Sequence, residues 1–169
     1  MPEPRDKDKD RDRARAKRTY DLEALDEIIS DLKEASDRGV AIIVEGVRDK
    51  EALRALEICG PVIMASRRPA LDLAEDAARS HDEIIMLTDW DEKGDEMAIN
   101  IQRHLMCTRS RVDMETRNRL KRLVKKEIKD VESLGVYVER MRELYGDDQM
   151  PKKRSLNQKG SLQSFSPYP

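Results

Sequence analysis

Three carboxylates stand where the sequence turns from apolar to polar. Glu45 directly follows the run Val40-Ala41-Ile42-Ile43-Val44. Asp89 and Asp91 follow Ile84-Ile85-Met86-Leu87 with only Thr88 between, and a glycine trails each group, Gly46 and Gly94. An aspartate after a strand has an ordinary use, capping the next helix or closing an Asx turn. If the three acids instead converge, their mutual repulsion in a low dielectric is relieved by a divalent cation. An all-oxygen donor set suits a hard ion, magnesium first with manganese as the alternative. Magnesium keeps several waters, so one or two carboxylates and a substrate phosphate complete its shell. Asp89 and Asp91, two apart, project to one side of an extended chain and are the candidate ligands. Glu45 is the candidate for proton transfer, or a further ligand.

These acids need elements that carry them to one place. The two flanking apolar runs are continuous, as in strands buried on both faces, and Val62-Ile63-Met64-Ala65 is a third. Helical spacing recurs between them. Leu22, Leu25, Ile28, Ile29 and Leu32 precede the first run, and Ala52, Leu53, Ala55 and Leu56 follow it. Leu71, Leu73, Ala74, Ala77 and Ala78 follow Pro69. Met97, Ala98, Ile101 and Leu105 follow the third run, and Leu120 to Leu134 continue in helical register. Val136-Tyr137-Val138 reads as a fourth short strand or as more helix. Buried runs alternating with amphipathic helices predict an α/β fold, a Rossmann-like parallel sheet of about four strands with helices on both faces, plus helical extensions. In such a sheet the site lies beyond the carboxyl ends of the strands, which places Glu45, Asp89 and Asp91 on one edge.

The ends of the chain differ. Residues 1–19 alternate acid and base with almost nothing to bury, and residues 148–169 are rich in Pro, Ser, Lys and Gln. Both read as disordered tails, the first alternatively as a fraying helix, around a domain at 20–147. Cys59 and Cys107 belong to no C-x-x-C pair, and His81 and His104 complete no zinc spacing; two reduced thiols in or near the core are expected. There is no apolar run of membrane-spanning length and no apolar signal region, so the expectation is a cytoplasmic protein with no membrane partner.

The net charge is −2, yet residues 103–129 hold Arg103, Arg109, Arg111, Arg117, Arg119, Lys121, Arg122, Lys125, Lys126 and Lys129 against Asp113, Glu115 and Glu127, a local charge of +7. A basic stripe following a cation site suits a phosphate backbone. Arg48, Arg67 and Arg68, each just after a strand run, are candidates to orient phosphate oxygens. Trp90, between the two aspartates, either stacks on a base or packs beside the sheet edge.

Two stretches match a known pattern. Val44-Glu45-Gly46-Val47-Arg48-Asp49-Lys50-Glu51-Ala52-Leu53 resembles the first Toprim motif, and Leu87-Thr88-Asp89-Trp90-Asp91-Glu92-Lys93-Gly94 resembles the second. The resemblance covers about residues 40–108, extending to 145 with the helices, and is closest to small standalone archaeal-type Toprim proteins. It implies magnesium chemistry on phosphodiesters, with Glu45 as general acid or base, Asp89 and Asp91 on the metal, Gly46 and Gly94 at tight backbone positions, and Asp49 supporting the first motif. Lys93 stands where topoisomerases carry a further acid and Trp90 where they carry Pro. In this the chain is nearer to the primase and ribosomal-RNA maturase versions. The expected function is magnesium-dependent cleavage or transfer on RNA or DNA. The alternatives are a non-catalytic nucleic-acid-binding or scaffold subunit of a larger complex, and a module binding free nucleotides or small phosphoesters.

Overall fold

The computed structural model describes residues 6–146. Four parallel strands, β1 (Ala41–Val44), β2 (Val62–Met64), β3 (Glu83–Met86) and β4 (Arg111–Asp113), lie in the order β2-β1-β3-β4. Six helices accompany them: α1 (Asp6–Asp37), α2 (Val47–Ala55), α3 (Ala70–Ser80), α4 (Glu92–Leu105), α5 (Glu115–Val124) and α6 (Leu134–Tyr145). The predicted α/β architecture is thus the observed one.

The period of two along a strand divides the interior into two cores. Ala41, Ile43, Ile84 and Met86 face one side, where Leu73, Ala74 and Ala77 of α3 and Ala98, Ile101 and Leu105 of α4 cover them. Ile42, Val44, Ile85 and Leu87 face the other, packed against residues of α1, α2, α5 and α6 such as Leu25, Leu53, Leu120 and Val138. Every residue of β1 is buried, as its unbroken apolar run requires.

The order of strands sets where function can sit. From β1 the chain moves outward to β2, whereas from β3 it moves the opposite way to β4. The carboxyl ends of the adjacent strands β1 and β3 therefore diverge into different connections and leave a crevice between them, the position at which open α/β sheets bind ligands.

Some expectations are decided and some corrected. Val136-Tyr137-Val138 lies inside α6, the second of its two readings; the fourth strand is β4, whose single apolar residue, Val112, and edge position left no hydrophobic run to read. From Asp6 onward the charged N-terminal segment is helix rather than tail. The packed stretch around Leu25–Leu32 supplies the nucleus, so propagation outward costs no second nucleation; the alternating charges put opposite signs three apart but like signs four apart, and these effects offset each other. The tail expected at 148–169 lies outside the described residues. Cys59 and Cys107 are both exposed, on the turns after α2 and α4, rather than in the core. Among the described residues no helix is long and apolar enough to cross a membrane.

Candidate functional site

At the crevice the chain leaves β1 as Glu45 while its backbone is still paired, the Glu45 carbonyl accepting from Ser66 N–H at 2.8 Å. The Glu45 side chain turns toward β3, where Oε1 accepts the backbone N–H of Asp89 at 3.2 Å. Residues 44 apart in sequence are thereby held side by side, and the two acidic ends meet as their strands' register requires.

Each acid is fixed from a different direction. Asp89 Oδ1 accepts the N–H of Val131 at 2.9 Å, from the connection between α5 and α6. Asp91 is the N-cap of α4, its Oδ1 accepting Gly94 N–H at 2.7 Å. Asp49 is buried and accepts Gly46 N–H at 2.9 Å, closing the start of α2. Asp89 and Asp91 each spend one oxygen in this way, and a second oxygen on each is left for other work. The capping role weighed for such aspartates is therefore real for Asp91, but it occupies only half of the carboxylate.

Electrostatics mark the cluster. Burial, with Asp49, Glu45 and Asp130 nearby, pushes Asp89 up from an ordinary 3.8 to about 7 against the opposing Val131 hydrogen bond. Burial, then the charges of Asp91 and Asp49, raise Glu45, opposed by the Asp89 N–H and by Lys93. Asp49 is raised by burial too. Such shifts are what crowded, half-desolvated carboxylates show when the one nearby ammonium, Lys93, only partly offsets their burial. Among the described residues no group of three or more His, Cys, Asp or Glu is arranged as a complete metal-binding set. Glu45 nonetheless lies within electrostatic reach of both Asp89 and Asp91, and carboxylate oxygens of this kind are what magnesium takes, one or two at a time, with water and phosphate filling its shell.

Gly94 shows how closely the site is built. A Cβ there would press on the Asp89 carbonyl, 2.6 Å from its carbon, and stand 3.0 Å from Glu45 Oε1. Only glycine lets the first turn of α4 approach both acids. Gly46 differs: a Cβ would meet nothing within 4 Å, and its φ of −149° is open to any residue, so steric need does not explain that glycine. Gly94→Ala is expected to cost about 2 kcal/mol of stability by overpacking, read by urea unfolding; wild-type stability in the variant would show that the clash is relieved without cost.

The cationic candidates are dispersed. Arg48 is exposed and lies 3.6 Å from Glu132, and Arg68 is held by Asp76 of α3. Arg67 is exposed with a left-handed φ of 66°, and Lys93 is exposed on the first turn of α4. Trp90 is 5% exposed and donates Nε1–H to the Ile128 carbonyl at 2.7 Å, so it packs and has no open face for a base.

Two supports of the site escaped sequence reasoning. Arg117, counted in the basic run, is 3% exposed. Its guanidinium donates to the carbonyls of Thr88, at 2.9 Å, and Asp89, and to Asp95 at 2.7 Å. The signal was its spacing: Arg117 shares the inner stripe of α5 with Leu120 and Val124. The second is the connection 125–133, whose carbonyls at Ile128 and Lys129 receive both Trp90 donors and whose Val131 N–H holds Asp89.

No protein-family model matches the chain. It is 41% identical over 121 residues to a UPF0292 protein of Methanosarcina barkeri, covering 72% of this chain and 85% of that one. Against a UPF0292 protein of Thermococcus onnurineus the identity is 45% over 114 residues, with 67% and 83% covered. A solved protein from Aquifex aeolicus shares the fold at a TM-score of 0.56 with 32% identity, covering 64% of this chain and 95% of its own. At that identity and coverage, the chain belongs to the UPF0292 family.

Proposed function

We propose that this protein is a Toprim-type domain that processes RNA or DNA by magnesium-dependent cleavage or transfer at a phosphodiester. The observation that carries the reading is the 3.2 Å hydrogen bond from Asp89 N–H to Glu45 Oε1 at the switch point of the sheet. Asp89 and Asp91 would hold the cation through the oxygens not engaged by Val131 and Gly94. When bound, magnesium (or manganese) supplies charge neutralisation at the phosphate and positions its oxygens. Glu45, raised by burial, moves the proton to or from the reacting oxygen. The exposed cysteines lie unpaired, which suits a reducing cytoplasm.

The test couples metal to pH. Asp89 carries a folded-state value of about 7 against 3.8 in an ordinary aspartate. Its contribution to stability is therefore present below 3.8 and is lost as pH rises toward 7 in metal-free protein. A cation must displace that proton, so magnesium is expected to raise the melting temperature more at pH 8 than at pH 6. Differential scanning fluorimetry reads the shift, alongside cleavage of a structured RNA and a nicked DNA duplex. Asp89→Asn with Asp91→Asn should lose both responses. A magnesium response that survives the double substitution would remove the site from the reaction.

A second reading has its own observation. Of the ten cations in 103–129, five are engaged within the fold: Arg111 with Glu83, Arg117 and Lys121 with Asp95, Arg119 with Asp31, and Arg122 with Glu115. This shrinks the surface left for polyanions, so a firm grip on a polymer would need cations from a partner, as in a non-catalytic or scaffold subunit of a larger complex. Salt-sensitive binding with no turnover in magnesium or manganese would select it.

A further inference from the structure

We propose that the connection between α5 and α6, presenting Lys125, Lys126 and Lys129, is the strip on which the phosphate backbone of a duplex docks beside the acidic crevice. This deepens the nucleic-acid reading above and rests on it. Setting aside the cations engaged in internal pairs leaves Arg103, Arg109, Lys125, Lys126 and Lys129, all exposed and with no ion pair among the described residues. Arg103 lies on the last turn of α4 and Arg109 just before β4, at the amino edge of the sheet, away from the crevice. The three lysines lie on a connection bonded directly to a crevice carboxylate, through Val131 N–H and Asp89.

Packing fixes that placement. Val124 and Val131 are buried, and Ile128 packs on the same core, so the residues between them are turned outward. The Ile128 and Lys129 carbonyls receive Trp90 Nε1–H at 2.7 Å and Trp90 N–H at 3.2 Å. Val131 N–H donates to Asp89 at 2.9 Å. Lys129 is thus two residues from a direct bond to a candidate cation ligand.

Of the acids in the same stretch, two are paired with arginines, and Asp130 alone keeps a charge unpaired among the described residues, turned to nearby backbone. Glu127 is held by Arg18 at 3.0 Å, Glu132 lies 3.6 Å from Arg48, and Asp130 accepts Ser133 N–H at 2.8 Å. A solvated helix end would explain lysines at 125 and 126, which close α5, but not the third beyond the turn. A row of unpaired ammonium groups on a backbone-anchored strip suits a repeating phosphate array. Trp90 is buried, and the aromatics nearest the strip, Tyr137 and Tyr145, are only half-exposed in the cavity beside Glu127 and Ile128, so recognition by backbone and shape is the chemistry favoured.

Binding can be tested apart from catalysis. Fluorescence anisotropy in EDTA, with short RNA and DNA duplexes, gives the dependence of log Kd on log salt. Replacing all three lysines by Gln is expected to weaken binding and to reduce the slope by about 2–3, near 0.9 for each phosphate no longer neutralised. Lys→Arg at the three positions should keep the slope, and Arg103→Gln with Arg109→Gln should leave it unchanged. An unaltered slope in the folded triple Gln variant overturns the proposal, as does displacement of the duplex by polyglutamate as readily as by unlabelled duplex, which would assign the strip to an acidic protein. Loss of the slope effect with the magnesium response intact rejects only the strip. Loss of the magnesium response with the slope effect intact rejects only the metal reading.

Discussion

Replacing Glu45 by Gln is expected to lower turnover of a phosphodiester substrate by about 10²–10⁴-fold, the usual worth of a positioned proton-transfer group. Gln keeps the size of Glu and an acceptor oxygen for the Asp89 N–H, so the hydrogen bond between the ends of β1 and β3 survives. It removes the ability to exchange a proton. Burial and the charges of Asp91 and Asp49 raise the affinity of Glu45 for that proton, which brings it nearer the range in which a carboxyl both takes and gives one. The loss should therefore fall on kcat more than on KM, and magnesium should still raise the melting temperature. Glu45→Asp gives a complementary reading: it keeps the acid but shortens its reach, so it should lose the hydrogen bond to Asp89 and part of the rate. Turnover by Glu45→Gln within a few-fold of wild type would remove Glu45 from the chemistry and leave it a structural link between two strands.

How much of this was visible beforehand depended on the physical character of each element. β1 and β3 are buried on both faces, so Ala41–Val44 and Ile84–Leu87 announced themselves as unbroken apolar runs, and the acids ending them were found by position alone. β4 lies at the edge with one apolar residue and left no such mark. The convergence of Glu45 with Asp89 followed from topology, but how Asp89 is held did not. Its partner, Val131, acts through a backbone N–H, and backbone donors carry no sequence signature. The basic run was legible as charge and misleading as surface: Arg119 reaches Asp31 at 3.2 Å across 88 residues, a pairing that no local spacing rule can foresee. Trp90 could be narrowed to two roles, and the choice turned on a carbonyl 38 residues away.

Among the charged residues, Arg117 is one whose loss should cost heavily in stability. Its charge is nearly withdrawn from water at 3% exposure, a burial tolerated only where every donor finds an acceptor. It meets two backbone carbonyls of the strand-to-helix turn, Thr88 and Asp89, and the carboxylate of Asp95. Among the described residues no buried side-chain nitrogen or oxygen lacks a partner, and the nearby Lys121 ammonium is already spent on Asp95. Arg117→Met fills much of the volume but leaves the two carbonyls without these bonds. About 3 kcal/mol should be lost, lowering the melting temperature by roughly 10 °C for a chain of this size. Arg117→Lys should fall between, because one ammonium cannot span the three acceptors that the planar guanidinium reaches. Asp95→Asn should cost less than either: Asp95 is 37% exposed, and although burial works against its charge, the Lys121 and Arg117 hydrogen bonds hold its carboxyl below the ordinary range. The Arg117 and Asp95 losses should fall short of additive in the double variant, since they share one ion pair. Because the same carbonyls shape the turn bearing Asp89 and Asp91, Arg117→Met should also weaken the magnesium response. If it unfolds at the wild-type temperature, the turn is held by its other bonds, among them Thr88 Oγ1 to the Gly94 carbonyl and Val131 N–H to Asp89, and the buried cation has some other purpose.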